Sequence, residues 1–144
     1  MSPARPVPAF VHTPEQLAEE LDLPVEPLRA VHAVYPLRVS GDYLDLIRRV
    51  GPPLWKQAVP ALRELDDPAG LADPLDEENL SPVPGLVHKY PDRALFLVSN
   101  ECAMYCRFCT RKRKVGKPGM VIDDRTIAAG IDYLRRTPAI CDVL

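Results

Sequence analysis

Along the first 65 residues, apolar positions recur at helical spacing between prolines. In "HTPEQLAEEL", Leu17 and Leu21 share a face four residues apart, Thr13 stands as N-cap, Pro14 opens the first turn and Gln16 completes a capping box. This predicts a helix over about 14–22. A second, over 25–34, must stop near Pro36, because a residue before proline is pushed out of helical geometry. "SGDYLDLIRRVGPP" then gives Ser40 as cap, Leu44, Ile47 and Val50 as the apolar stripe, Arg48 and Arg49 in the last turn and Gly51 as terminator. Trp55 to Leu65 offers one more helix, broken at Pro60. Residues 1–65 therefore read as a helical subdomain with a structural role.

The pattern changes twice after that. Residues 66–91 are rich in Pro, Asp and Gly without usable periodicity and read as an extended connector. "RALFLVS" is a continuous apolar run of strand length, the mark of a strand buried on both faces. "DDRTIAAGIDYLRRTP" follows with Ile127, Ile131 and Leu134 at helical spacing, acidic residues at its start and Arg135 and Arg136 near its end, and "AICDVL" begins another apolar run. Strand, loop, helix and strand over 92–144 predict an α/β fold, the first βα unit of a parallel barrel. A strand with no helix to cover it is a poor stopping place, so the expectation is that these residues are the front of a longer protein.

Composition narrows the class. At 144 residues, 47% hydrophobic and 26% charged, the chain has the make-up of a folded domain rather than a disordered one. No apolar run approaches a membrane span, and "MSPARPVPAF" lacks the apolar stretch of a secretion signal, so the expectation is a cytoplasmic protein with no membrane partner. The net charge of -2 conceals an asymmetry: residues 1–88 carry 7 Lys/Arg against 14 Asp/Glu, and residues 89–144 carry 11 against 6. The positive charge gathers beside three clustered cysteines. Such clustering argues for metal rather than for a disulfide framework.

Those cysteines, in "CAMYCRFCTRKRKV", have the spacing C-x3-C-x2-C. Soft thiolates this close can converge on zinc or on an iron–sulfur group. Either usually takes four ligands, and Cys102, Cys106 and Cys109 supply three; the position left open is where a metal site does chemistry. The loop follows the carboxyl end of a predicted parallel strand, the edge at which α/β barrels and open sheets place active sites. Arg107, Arg111, Lys112, Arg113 and Lys114 can offset thiolate charge or receive an anion, although four adjacent side chains cannot all turn inward. A zinc-binding, nucleic-acid-contacting module remains open on these residues alone, with nucleic acid the less favoured partner.

"NECAMYCRFCTRKRKVG", with aromatic Phe108 just before the last cysteine, resembles the cluster loop of radical S-adenosylmethionine enzymes. From "SPVPGLVHKYPDRALFLVS" through "DYLRRTPAICDVL" the chain is similar to the lysine 2,3-aminomutase family of those enzymes. The resemblance covers roughly residues 66–144 well and the helical front more loosely. It implies a partial TIM-type radical S-adenosylmethionine barrel, with Cys102, Cys106 and Cys109 holding a [4Fe–4S] cluster whose fourth iron takes S-adenosylmethionine. Reduction by an electron donor then yields a radical that removes a β-hydrogen from an amino acid held by pyridoxal 5′-phosphate, and the amino group moves between the α and β carbons. The implied activity is an isomerase acting on L-lysine. Glutamate and arginine 2,3-aminomutases and the enzyme that supplies β-lysine to a translation factor are the alternatives.

Residue by residue, the resemblance implies that Arg111 receives the substrate carboxylate, that Tyr90 and Arg93 lie near the pyridoxal phosphate, and that Phe108 contacts cofactor. Phe108 stands where lysine-specific members commonly have histidine, and "KRKVG" replaces "RRRFAG", so the choice of amino acid stays open. Relatives are oligomers, which extends the expectation of a homo-oligomer to the full-length protein. The Gly-rich S-adenosylmethionine motif and the Schiff-base lysine fall beyond residue 144, and none of Lys56, Lys89, Lys112, Lys114 or Lys117 matches that lysine, so this segment alone is expected to be inactive. Cys141, inside an apolar run, reads as a small buried hydrophobe. His12, His32 and His88 form no metal spacing, and Glu101 could support the neighbouring ligand.

Overall fold

Thr13 starts the first helix as its sequence suggests. In a computed structural model that describes residues 8–117 and 119–144, its hydroxyl accepts from the Gln16 N–H, and the Gln16 side chain accepts from the Thr13 N–H. The helix runs Pro14–Leu21 (α1), behind a short strand Phe10–Val11 (β1). Then come α2 (Val25–His32), β2 (Val39–Ser40) and α3 (Gly41–Val50). Ser40 caps α3 by accepting from the Tyr43 N–H, and Gly51 ends it at φ 79°. β1 and β2 pair antiparallel, Val11 opposite Val39. Residues 1–7, the front of the expected helical subdomain, lie outside the described residues.

The helix expected over 55–65 is different. It begins at Pro52, where two prolines suit a first turn whose N–H groups have no helical partner, and it ends at Ala58 (α4); beyond Pro60 only a 3-10 turn, Leu62–Glu64, continues. Apolar faces of these elements meet in one core, with Val11, Leu17, Val39, Leu44, Ile47 and Ala58 all essentially inaccessible. At about 25 cal/mol per Å² of apolar surface, removing such side chains from water is the main term holding the short helices together.

The segment read as an extended connector contains a strand, β3 (Leu86–Tyr90), paired antiparallel with β4 (Arg93–Phe96). β4 is shorter and more open than its apolar run suggests: Ala94 is buried, Leu95 and Phe96 are half-buried, and Val98 is exposed. The reading of a strand buried on both faces is thus corrected. The βαβ reading stands, because helix α5 (Asp124–Arg136) follows and β5 (Asp142–Val143) pairs parallel with β4. Gly130 of α5 meets Phe96 of β4 so closely that a Cβ there would lie 2.4 Å from two ring carbons. His88 of β3 shares a 2.8 Å hydrogen bond with the Tyr133 hydroxyl of α5. Cys141 is exposed rather than buried, against expectation, because β5 shows both its residues to solvent.

The fold is α/β, with helices and two small sheets, and the described chain divides into two units. One holds the residues up to Ala69 together with Cys102–Val115; the other holds Gly70–Glu101 together with Gly116–Leu144. The cysteine loop is therefore a part of the helical unit, although in sequence it follows a strand of the other. At the neck of that excursion the Gly116 N–H donates to the Asn100 carbonyl at 3.3 Å.

Candidate metal centre

The loop that carries the thiols is a series of tight turns. The Cys109 N–H donates to the Cys106 carbonyl, the Lys112 N–H to the Cys109 carbonyl, and the Lys114 and Val115 N–H groups to the Arg111 carbonyl. Turns at this spacing put Cys102, Cys106 and Cys109 on one hollow of about 40 Å³, which Tyr35, Met104 and Val115 also bound. All three are free thiols; Cys102 is exposed and the other two half-buried. The Arg111 N–H points at the Cys109 sulfur, 3.3 Å away, the kind of donor that stabilises a thiolate ligand.

Burial pushes the Cys106 thiol above its ordinary range, and the Cys109 and Cys102 sulfurs push it further. Two sulfurs that raise the cost of ionising a third, Cys106, form with it a donor set that a soft cation would relieve. The donor chemistry thus fits a thiolate-bound metal group. The geometry is not closed: among the described residues no three His, Cys, Asp or Glu side chains stand as a finished metal-binding group. One water needs roughly 10–15 Å³, so the hollow has room for a few waters, and it opens to solvent beside the exposed Cys102.

The loop is held to the helical unit at several points. Backbone bonds run from the Tyr105 N–H to the Arg38 carbonyl, at 2.9 Å, and from the Arg107 N–H to the Gln57 carbonyl, at 2.8 Å. Met104 packs against the helical core. Arg107 is 8% exposed and does not face the thiols as a free counter-charge. Its guanidinium grips both carboxylate oxygens of Glu64, at 2.7 to 3.1 Å, and donates to the Pro36 carbonyl. Lys112 reaches the same carboxylate at 2.7 Å and lies over the Tyr35 ring, 4.6 Å from its centroid. Burial alone would raise the Glu64 carboxyl, but hydrogen bonds from Arg107, Lys112 and the Ala61 N–H outweigh it and hold the group below its ordinary range.

The remaining expected site residues separate. Phe108 is 69% exposed and borders a different hollow, of about 390 Å³, with Trp55, Lys56 and Arg63. Arg111 is half-buried on the thiol loop. Tyr90 and Arg93 sit in the other unit, flanking the β3–β4 turn; the Arg93 guanidinium lies 5.9 Å from the Tyr90 ring centroid and pairs with Asp92 at 3.3 Å. Glu64 was missed in the sequence. It is one acidic residue in "ALRELDD", and its partners lie 43 and 48 residues further on.

No family model matches the chain. Individual proteins do. Over 122 residues, 83% of this chain, it is 44% identical to the L-lysine 2,3-aminomutase of Bacillus subtilis, of which the match covers 26%. Over 140 residues, 93% of the chain, it is 43% identical to the L-lysine 2,3-aminomutase of Clostridium subterminale, covering 34% of that protein. The glutamate 2,3-aminomutase of Clostridioides difficile is 36% identical over 121 residues, with 83% of this chain and 29% of that protein covered. The chain thus spans about a quarter to a third of the length of these relatives.

Proposed function

We propose, for a chain that belongs to the lysine 2,3-aminomutase family, that the protein it comes from is an isomerase that moves an amino group between the α and β carbons of L-lysine, with the present residues forming its metal-binding front. The observation that carries this reading is the set of three free thiols at C-x3-C-x2-C spacing around one hollow, with the Arg111 N–H on the last sulfur. Three soft ligands leave a position open for a second molecule, which separates a reactive centre from a structural zinc site.

Cys102, Cys106 and Cys109 would hold a [4Fe–4S] cluster, and Arg111 would meet the substrate carboxylate. Tyr90 and Arg93 offer a ring and a cation to pyridoxal phosphate at a solvent-facing turn, and Phe108 offers an exposed ring to S-adenosylmethionine. When bound, the cofactors would supply the radical that removes a hydrogen atom and the aldehyde that carries the amino nitrogen as it changes carbon. The protein's share is to hold the thiols together, to place a guanidinium for bidentate capture of a carboxylate, and to keep water away. An electron donor and an amino acid are the partners this requires. The same chemistry suits an α/β barrel continuing from β4, α5 and β5.

Among the described residues, no helix is long and apolar enough to cross a membrane. Identities of 44% and 43% to two lysine 2,3-aminomutases, against 36% to the glutamate 2,3-aminomutase, support lysine as substrate. Incubating the full-length protein with L-lysine and, separately, L-glutamate, together with the three cofactors and a reductant, tests the assignment. β-Lysine is the expected chromatographic product. β-Glutamate alone would move the protein to the other branch, and no β-amino acid from any substrate would overturn the reading.

A further inference from the structure

Glu64 accepts an unusual number of hydrogen bonds for one carboxylate whose cationic partners lie 43 and 48 residues away in the chain. Three come from the Arg107 guanidinium, one from Lys112 and one from the Ala61 N–H, and the Glu64 side chain is only 12% exposed. Arg107 lies between Cys106 and Cys109 in the chain, and Lys112 is three residues past Cys109. One carboxylate therefore grips both sides of the Cys109 turn. Its own position is set by the 3-10 turn, where it caps Ala61, and Arg107 is further tied to the Pro36 carbonyl.

We propose that Glu64 is a positioning residue for the thiol loop, so that the helical segment is the template on which Cys106 and Cys109 are set before any metal arrives. This rests on the reading of the loop as a metal site. Without the carboxylate's charge, Arg107 keeps a buried cation with only neutral acceptors, the Pro36 carbonyl among them, and Lys112 loses its ion pair while still lying over the Tyr35 ring. The backbone bonds at Tyr105 and Arg107, the Arg107–Pro36 contact and the packing of Met104 then hold the loop without an ion pair. A charged hydrogen-bond network of this kind is tight when complete and costly when one member is neutralised.

The test uses the full-length protein with Glu64→Gln, which keeps shape and removes charge, and Glu64→Asp, which keeps charge. Hydrogen exchange of the metal-free protein reports the loop directly. In Glu64→Gln, the amides over 102–115 should exchange about tenfold faster or more, with α1 and α3 unchanged, and Glu64→Asp should recover part of the protection. After anaerobic loading with iron and sulfide, Glu64→Gln should retain less iron per chain, and its visible and paramagnetic spectra should differ from those of the wild type. Unchanged loop exchange in Glu64→Gln overturns the proposal. So does equal loss of protection in α1, α3 and the loop, which would make Glu64 a residue of general stability. A wild-type protein that takes up no iron would remove the metal reading, while the exchange result would still decide whether Glu64 sets the loop.

Discussion

Arg107→Met tests the energetics of the joint between the helical unit and the thiol loop. The Arg107 and Glu64 side chains are 6% and 12% exposed, so water screens their pairing little. Removing Arg107 leaves the carboxylate with Lys112 at 2.7 Å and the Ala61 N–H at 2.9 Å, a partial compensation. Breaking one side of a buried pair costs about 3–5 kcal/mol when the other charge is left bare, so with Lys112 still present the cost should be about 2–3 kcal/mol. Glu64→Gln leaves the guanidinium less well served and should cost about 3–5 kcal/mol. The double variant removes both charges, and its cost should fall short of the sum by about 2 kcal/mol. The single tryptophan, Trp55 of α4, packs against the helical core, so its fluorescence during urea unfolding reads this unit. Acid gives a second readout. The Glu64 carboxyl sits below its ordinary value of 4.5 when folded, so the unfolded chain takes up the proton first as pH falls. Its contribution is complete above about pH 4.5 and is lost as pH drops through the lower, folded value, so the wild type's advantage over Glu64→Gln should shrink there. Additive single costs, within about 0.5 kcal/mol, would refute the coupling, as would an advantage that stays constant down to pH 3.

Two further substitutions probe the units separately. Gly130→Ala should gain about 1 kcal/mol of helix propensity, but the new Cβ would stand 2.4 Å from the Phe96 ring, and overpacking of about 1–3 kcal/mol should leave the variant less stable in thermal unfolding. A higher melting temperature would mean that the ring moves aside freely. Thr13→Ala removes the side-chain acceptor of the α1 capping box and should cost about 1 kcal/mol in urea; no change would mean that water replaces the cap.

What the sequence disclosed was local. Thr13, Ser40 and Asp123 each accept at a helix start from residues three positions on, and apolar residues recur at three and four positions, so α1, α2, α3 and α5 were legible with small errors at their ends, although Val50 and Ile131 of the expected stripes are exposed. The thiol spacing was legible for the same reason, since all three residues lie within one loop. β3 was not, because only Leu86 and Val87 of "LVHKY" are buried, and the segment becomes a strand by pairing with β4. The apolar run of β4 overstated its burial, since alternation and length cannot say whether a neighbour covers the second face. Placing the cysteine loop with the helical unit depended on Arg107 and Lys112 finding Glu64, and on Tyr105 finding Arg38, 67 positions earlier in the chain. Lys112 looked like any other member of the basic run, yet it is one that turns inward.

We propose above all that Cys102, Cys106 and Cys109 bind an iron–sulfur group with one position open to a second molecule. The direct measurement is anaerobic iron–sulfide loading of the full-length protein, followed by reduction and addition of S-adenosylmethionine. About four irons per chain, with release of 5′-deoxyadenosine and methionine that is abolished by Cys106→Ala, is the predicted result. One tightly held zinc per chain and intact S-adenosylmethionine would contradict it.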